Sequence, residues 1–153
     1  MTVWFDMDGT IADFYGVAGW LEDVCAGNVR PYEEAKPLFP FAQFAKMLHK
    51  VQKRGYEIGI VTWGSKTADE SFNRATALIK QQWLRKHLPS VQWNHFQFMT
   101  YGTNKNAVNA GNDILFDDDE RNRMSWTGAA YLPQDIMKVL KEMTQICEGC
   151  AIW

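Results

Sequence analysis

Cysteine is scarce in this 153-residue sequence, with three residues at positions 25, 147 and 150, too few and too uneven for a disulfide framework. Cys147-Glu-Gly-Cys150 has a metal-type spacing, but one such pair without a second pair or a nearby histidine does not argue for zinc. Histidine is equally sparse. His49, His87 and His95 fall in helical or strand contexts without acidic partners at useful spacing, which points to surface or interface roles rather than catalysis. No apolar run approaches the ~18 residues of a membrane span, and polar and acidic residues begin at position 6, so no leader is expected. An excess of positive charge is also missing. The formal charge of -2 leaves no broad basic field for a nucleic-acid backbone; a nucleic-acid partner is not favoured, while a small phosphorylated ligand or a strand end stays compatible. The expectation is a cytoplasmic protein with no membrane partner.

What is present is a composition of 46% hydrophobic and 22% charged residues, that of one globular domain over 1–153 with a real core. Its most informative stretch is Val3-Trp4-Phe5-Asp6-Met7-Asp8-Gly9-Thr10. An apolar run that meets two carboxylates and then Gly-Thr reads as a buried strand turning into a loop at the sheet's carboxyl edge. Asp6 and Asp8 flank one residue, so in extended chain their side chains lean to the same side. At an effective dielectric near 20, unit charges ~4 Å apart repel by about 4 kcal/mol, so the pair needs a metal, a lysine or a shared proton. Asp-x-Asp-Gly also fits a calcium loop or an Asx-turn. A calcium loop requires further oxygen ligands and a closing Glu, which Ile11-Ala12-Asp13-Phe14 does not supply.

Downstream, the spacing predicts a helix over Tyr15–Ala26 stopped by Gly27, then an irregular segment to Pro40 punctuated by Pro31 and Pro37. Residues 14–40 read either as a small helical cap insert after the first strand or as a surface excursion packed on the sheet edge. Helices follow over 41–54 and 66–87, with Phe72, Ala75, Leu78, Ile79 and Trp83 as the inner stripe of the second. Strands are expected over 56–62, 96–99, 113–116 and 128–132, one or two helical turns over 105–110, and a last helix over 134–146. Alternating β and α segments imply an α/β fold, a three-layer Rossmann-like parallel sheet with helices on both faces.

In such a sheet the Asp6/Asp8 pair, the Thr62 hydroxyl and the Asp117/Asp118 pair each close a short apolar strand and meet at one edge, with Lys105 on the connection into the acidic strand. Lys105 read alone is an ordinary solvated lysine, and Lys66 is its rival near the second strand; position favours Lys105. Thr62 read alone caps the helix that follows, a role compatible with phosphate binding. Carboxylates converging without His or Cys favour Mg²⁺ over zinc, and Mg²⁺ takes phosphate oxygen readily.

The order of these motifs, Asp6-Met7-Asp8-Gly9-Thr10, then Ile58-Gly59-Ile60-Val61-Thr62, then Lys105, then Asp117-Asp118 with Asn122, resembles the haloacid dehalogenase-like (HAD) phosphohydrolase superfamily. That resemblance implies a Mg²⁺-dependent phosphatase working through an aspartyl-phosphate. Asp6 would be the nucleophile and Asp8 the general acid and base. Thr62 would donate to a phosphoryl oxygen, and Trp63 and Gly64 would add backbone N–H groups. Lys105 would balance the charge between Asp6 and the phosphate. Mg²⁺ would be held by Asp6, Asp118 and the main-chain carbonyl of Asp8, with Asp117 in support; which acid of the Asp117-Asp118-Asp119 run reaches the metal stays open. The opening through Phe14 is also similar to HAD 5′(3′)-deoxyribonucleotidases, which makes a nucleotide the first candidate among small phosphorylated substrates. The alternatives are a polynucleotide or phosphoprotein phosphatase of the same chemistry, or a non-catalytic HAD-like binding module.

Overall fold

A computed structural model describes residues 1–66 and 69–145. The Cys147/Cys150 pair and residue 146 of the last expected helix lie outside the described residues. In chain order the elements are β1 (Thr2–Phe5), β2 (Ala12–Asp13), α1 (Trp20–Cys25), α2 (Arg30–Glu34), β3 (Lys36–Pro37), α3 (Phe41–Lys53), β4 (Glu57–Trp63), α4 (Glu70–His87), β5 (His95–Met99), β6 (Ile114–Phe116), α5 (Glu120–Ser125), β7 (Ala130–Tyr131) and α6 (Ile136–Gln145). Two 3₁₀ turns, Lys105–Val108 and Pro133–Asp135, join them.

The expected α/β architecture is present as a five-stranded parallel sheet in the order β5-β4-β1-β6-β7, flanked by helices. β1 is central, and all four of its residues are buried. Alternation sorts the strands into two faces. Val3, Phe5, Ile58, Ile60, Ile114 and Phe116 join Phe44, Leu48 and Val51 of α3 and Ile136 and Leu140 of α6 in the larger core cluster. Trp4, Val61 and Leu115 point the other way, onto Trp126. Gly59 lies beside Trp4 across the β1–β4 register, and a Cβ there would stand 2.6 Å from the indole ring. A side chain at 59 would therefore displace Trp4.

Asp113, at the foot of β6, ties this edge together. Its carboxylate accepts from the Thr2 and Ala110 N–H groups at 2.9 and 3.0 Å and from the Trp4 indole at 3.1 Å. Burial pushes its pKa up, yet these donors outweigh burial and hold the carboxyl below its ordinary range. The resulting stabilisation is present above the ordinary carboxylate pKa and is lost as pH falls through the lowered folded-state value.

Several boundaries differ from the sequence expectation. The first helix begins at Trp20 rather than Tyr15, because Gly19 takes a left-handed conformation (φ 74°) at its N-terminus. Residues 28–40 are not wholly irregular: Pro31 sits in the first turn of α2, where its missing N–H costs nothing. Lys36–Pro37 pairs antiparallel with Ala12–Asp13. α4 begins at Glu70, not 66, because the Asp69 side chain accepts from the Ser71 and Phe72 N–H groups. Thr62 is therefore not its cap. The inner stripe of α4 also differs: Leu78 is 59% exposed, while Thr76 and Lys80 are buried. His95 does have an acidic partner, Glu57 of the adjacent strand. No helix among the described residues is long and apolar enough to cross a membrane.

Replacing Asp113 with Ala strands three donors, two backbone N–H groups and an indole. We expect a loss of about 3 kcal/mol, read by urea unfolding; a loss well under 1 kcal/mol would show that water or neighbours satisfy them.

Candidate active site

The chain leaves β1 at Phe5 and turns sharply. The N–H groups of Thr10, Ile11 and Ala12 all donate to the Met7 carbonyl, and Gly9 takes φ 80°. Gly9 is required twice over. Its conformation suits glycine, and a Cβ there would lie 2.4 Å from Asp118 Oδ2. The turn thus brings the β1 loop against the loop after β6. Thr10 joins the two loops: its hydroxyl donates to Asp6 Oδ2 at 2.9 Å and accepts from the Asp118 N–H at 3.2 Å, with Asp118 Oδ1 also 3.2 Å away.

Carboxylate oxygens of Asp6, Asp117 and Asp118 lie within 4.8 Å of one another. Lys105, 1% exposed, sits between two of these acids, donating to Asp6 Oδ1 at 2.8 Å and Asp117 Oδ2 at 2.7 Å. Asn122 gives Asp117 Oδ2 a further donor at 3.1 Å, and Arg123 holds the main-chain carbonyls of Asp117 and Asp118 at 3.0 and 2.8 Å. Asp119, the third acid of the run, is taken up otherwise: it caps α5 and pairs with Arg121. Burial disfavours the Lys105 ammonium, but the charges of Asp6 and Asp117 more than compensate and raise its pKa. Asp117 and Asp118 are pushed well above the carboxylate range, first by burial and then by the charge of Asp6.

Asp8 stands apart from this trio. Its Oδ2 accepts from Lys80 at 2.9 Å, and the same ammonium donates to Thr62 Oγ1 at 2.6 Å and to the Trp63 carbonyl at 3.1 Å. Burial raises the Asp8 pKa, with Lys80 opposing and Asp6 adding to the rise. The expected site residues therefore divide: Asp6, Lys105, Asp117 and Asp118 meet directly, while Asp8 and Thr62 meet through Lys80. The Gly64 N–H donates to the Met99 carbonyl at 2.7 Å, and Trp63 donates from its indole to the Thr103 carbonyl at 2.8 Å. Lys66 lies outside the acidic cluster, its ammonium 5.2 Å from the centre of the Tyr101 ring. His49, His87 and His95 do not line the cavity described next.

A cavity of about 410 Å³ opens over these groups, at the carboxyl ends of β1, β4, β5 and β6. Its floor holds Asp6, Asp8, Lys105, Asp117, Asp118 and Asn122. Trp63, Gly64 and Tyr101 form one wall, and Phe14, Tyr15, Trp20, Leu21, Val24 and Tyr32 the other. Thr62 lies behind this lining and is 1% exposed. The apolar wall is packed together by its rings: Phe14 stacks on Tyr32 at 4.6 Å and meets Trp20 at 5.2 Å, and Tyr32 reaches Phe72 of α4.

Lys80 is the residue that pattern reading passed over. A signal existed, since Phe72, Thr76, Lys80 and Trp83 share one face at helical spacing, and a lysine in phase with a buried stripe is unusual. No protein-family model matches the chain, and no curated protein matches it either.

The acidic trio offers only hard oxygen donors and no imidazole or thiolate, a set suited to Mg²⁺, Mn²⁺ or Ca²⁺ rather than zinc. A cation must compete there with the protons that the raised Asp117 and Asp118 pKa values retain. Divalent-cation affinity, measured by calorimetry, should weaken as pH is lowered from about 8 to about 6. An affinity that is flat across that range would remove the trio as the binding site.

Proposed function

We propose that this protein is a HAD-like phosphatase, a Mg²⁺-dependent hydrolase of phosphate monoesters that forms an aspartyl-phosphate on Asp6. The observation that carries this reading is the convergence of three carboxylates and one buried lysine on the floor of an apolar-walled cavity. A purely structural acidic pair would not need that arrangement. In the same reading the fold is the three-layer Rossmann-like form, residues 14–40 act as its cap, and the protein works in the cytoplasm.

Asp6, Asp117 and Asp118 would hold the ion, with the main-chain carbonyl of Asp8 as a further oxygen. Bound there, Mg²⁺ would supply charge neutralisation for a phosphoryl group. The protein's own residues do the rest. An Asp6 oxygen attacks phosphorus in line as the ester P–O bond breaks, and Asp8 gives a proton to the departing oxygen. In the second half Asp8 takes a proton from water as that water attacks phosphorus, releasing Asp6 and inorganic phosphate. Lys105 orients Asp6 through the Oδ1 hydrogen bond, where a point cation suits better than a bidentate fork. Thr62, behind the cavity lining, accepts from Lys80 and so helps fix the ammonium that holds Asp8.

The alcohol part of the ester would lie against Phe14, Tyr15, Trp20 and Tyr32, surfaces on which a flat or apolar group stacks. A nucleotide is the first candidate among such small esters. No observation favours a polynucleotide end, a phosphoprotein or a non-catalytic role over it.

The test is a panel of nucleotides, sugar phosphates, 3′-phosphorylated oligonucleotides and phosphopeptides, each with and without Mg²⁺. Hydrolysis of small apolar or aromatic esters that requires the ion is expected; a panel-wide failure overturns the proposal. Asp6→Asn should lose at least about a thousandfold in kcat while retaining its fold, and substantial residual turnover would remove Asp6 as nucleophile. Asp8→Asn should slow poor leaving groups about a hundredfold or more and good ones less. Equal slowing of both would remove Asp8 as the acid.

A further inference from the structure

Lys80 contacts none of the acidic trio, two of whose members Lys105 already holds. A lysine 1% exposed is tolerated only when its N–H groups are satisfied, and here each has an acceptor: Asp8 Oδ2, Thr62 Oγ1 and the Trp63 carbonyl. Two of these acceptors are at the end of β4 and the third is on the loop after β1, while Lys80 itself belongs to α4. The ammonium also lies 5.3 Å from the centre of the Tyr32 ring, on the apolar wall, and 5.8 Å from that of Phe98.

The arrangement treats the two oxygens of Asp8 differently. Oδ2 is clamped by Lys80, and among the described residues no donor reaches Oδ1. Asp8 lines the cavity. Among the described residues Lys80 is the sole hydrogen-bond partner of this side chain.

We infer that Lys80 is the positioning residue of Asp8: it clamps Oδ2 to the end of β4 so that Oδ1 alone faces the reacting oxygen. This inference rests on the phosphatase reading above. In the first half-reaction the proton leaves Oδ1 for the ester oxygen as its bond to phosphorus breaks. In the second, Oδ1 takes a proton from the attacking water as the bond between Asp6 and phosphorus breaks. Lys80 keeps all three of its protons throughout and touches no reacting atom. Its contribution is geometric, of the kind in which a misplacement of about 1 Å costs roughly a hundredfold in rate.

The experiment compares the parent protein, Lys80→Met, Asp8→Asn and the double variant on two esters with Mg²⁺, one with an aryl (good) and one with an alkyl (poor) leaving group. Lys80→Met should lower kcat about tenfold to a hundredfold on the alkyl ester, less on the aryl ester, and change KM by no more than about threefold. The double variant should be no slower than Asp8→Asn alone, because both changes disable one device. Equal losses on the two esters, or losses that multiply in the double variant, overturn the proposal and make Lys80 a framework residue. Should Lys80→Met fail to fold, Lys80→Gln, which keeps donors without the charge, should show the same dependence on leaving group; failure of both to fold likewise assigns Lys80 to the framework. A parent protein inactive on both esters overturns the phosphatase reading itself, and this inference with it. An active parent with uniform losses overturns only the role of Lys80.

Discussion

Four carboxylates from two strand ends, Asp6, Asp8, Asp117 and Asp118, are crowded at one sheet edge, and the remainder of the site is an answer to their mutual repulsion. Two lysines provide most of that answer, each 1% exposed, Lys80 with three acceptors and Lys105 with two. Removing one partner from a buried pair of this kind typically costs about 3–5 kcal/mol, because the surviving charge is left without compensation. The two lysines do different work. Lys105 joins acids of two adjacent strand ends, whereas Lys80 draws Asp8 away from the trio toward β4. The result separates the acids into a group of three that can share a cation and a fourth that keeps its own counter-ion.

Much of this could be read from the chain. The central strand announced itself by an apolar run ending in Asp6 and Asp8, and the acidic strand by Ile114-Leu115-Phe116 ending in Asp117 and Asp118; in the structure they are neighbours in parallel register. Lys105 was legible by position alone, since it precedes the acidic strand. Phe72 and Trp83 of the expected stripe are buried, but periodicity treats lysine as a solvent-facing residue and counted Leu78 inward, so Lys80 was passed over. Thr76 beside it is buried as well, so tertiary packing overrode hydrophobic patterning on that helix. The short helix α5 escaped for another reason: at six residues it carries no periodic signal, and only the Asp119 cap marks it. Likewise Thr10 was part of the quoted motif, but nothing in one dimension says that its hydroxyl will bridge two loops.

The cavity combines surfaces of opposite character, a charged floor and an aromatic wall. That contrast follows from where each part originates. The floor comes from strand ends, whose positions are dictated by backbone hydrogen bonding within the sheet. One wall comes from residues between β2 and β3, held by stacking of Phe14, Tyr32 and Phe72 rather than by any ladder. Packing of that kind adapts to a changed side chain more readily than a ladder does. In the phosphatase reading proposed above, the chemistry would rest on the sheet-anchored floor and the surface meeting the rest of the substrate on the more adaptable wall.

The pairing of Ala12–Asp13 with Lys36–Pro37 makes the residues between them leave and rejoin the domain at nearly one point. A segment whose ends already coincide can change in length with little additional closure entropy, since each doubling costs only about 0.6 kcal/mol. The strand register of the main sheet would not feel such a change, because the antiparallel ribbon isolates it. Residues 14–35 thus form a cassette tied to the rest of the domain through Tyr32 against Phe72 and Lys80 and through the Ala35 carbonyl, which accepts from the Trp83 indole. In the phosphatase reading, shape selection at the mouth would be set there, apart from the carboxylates on the floor.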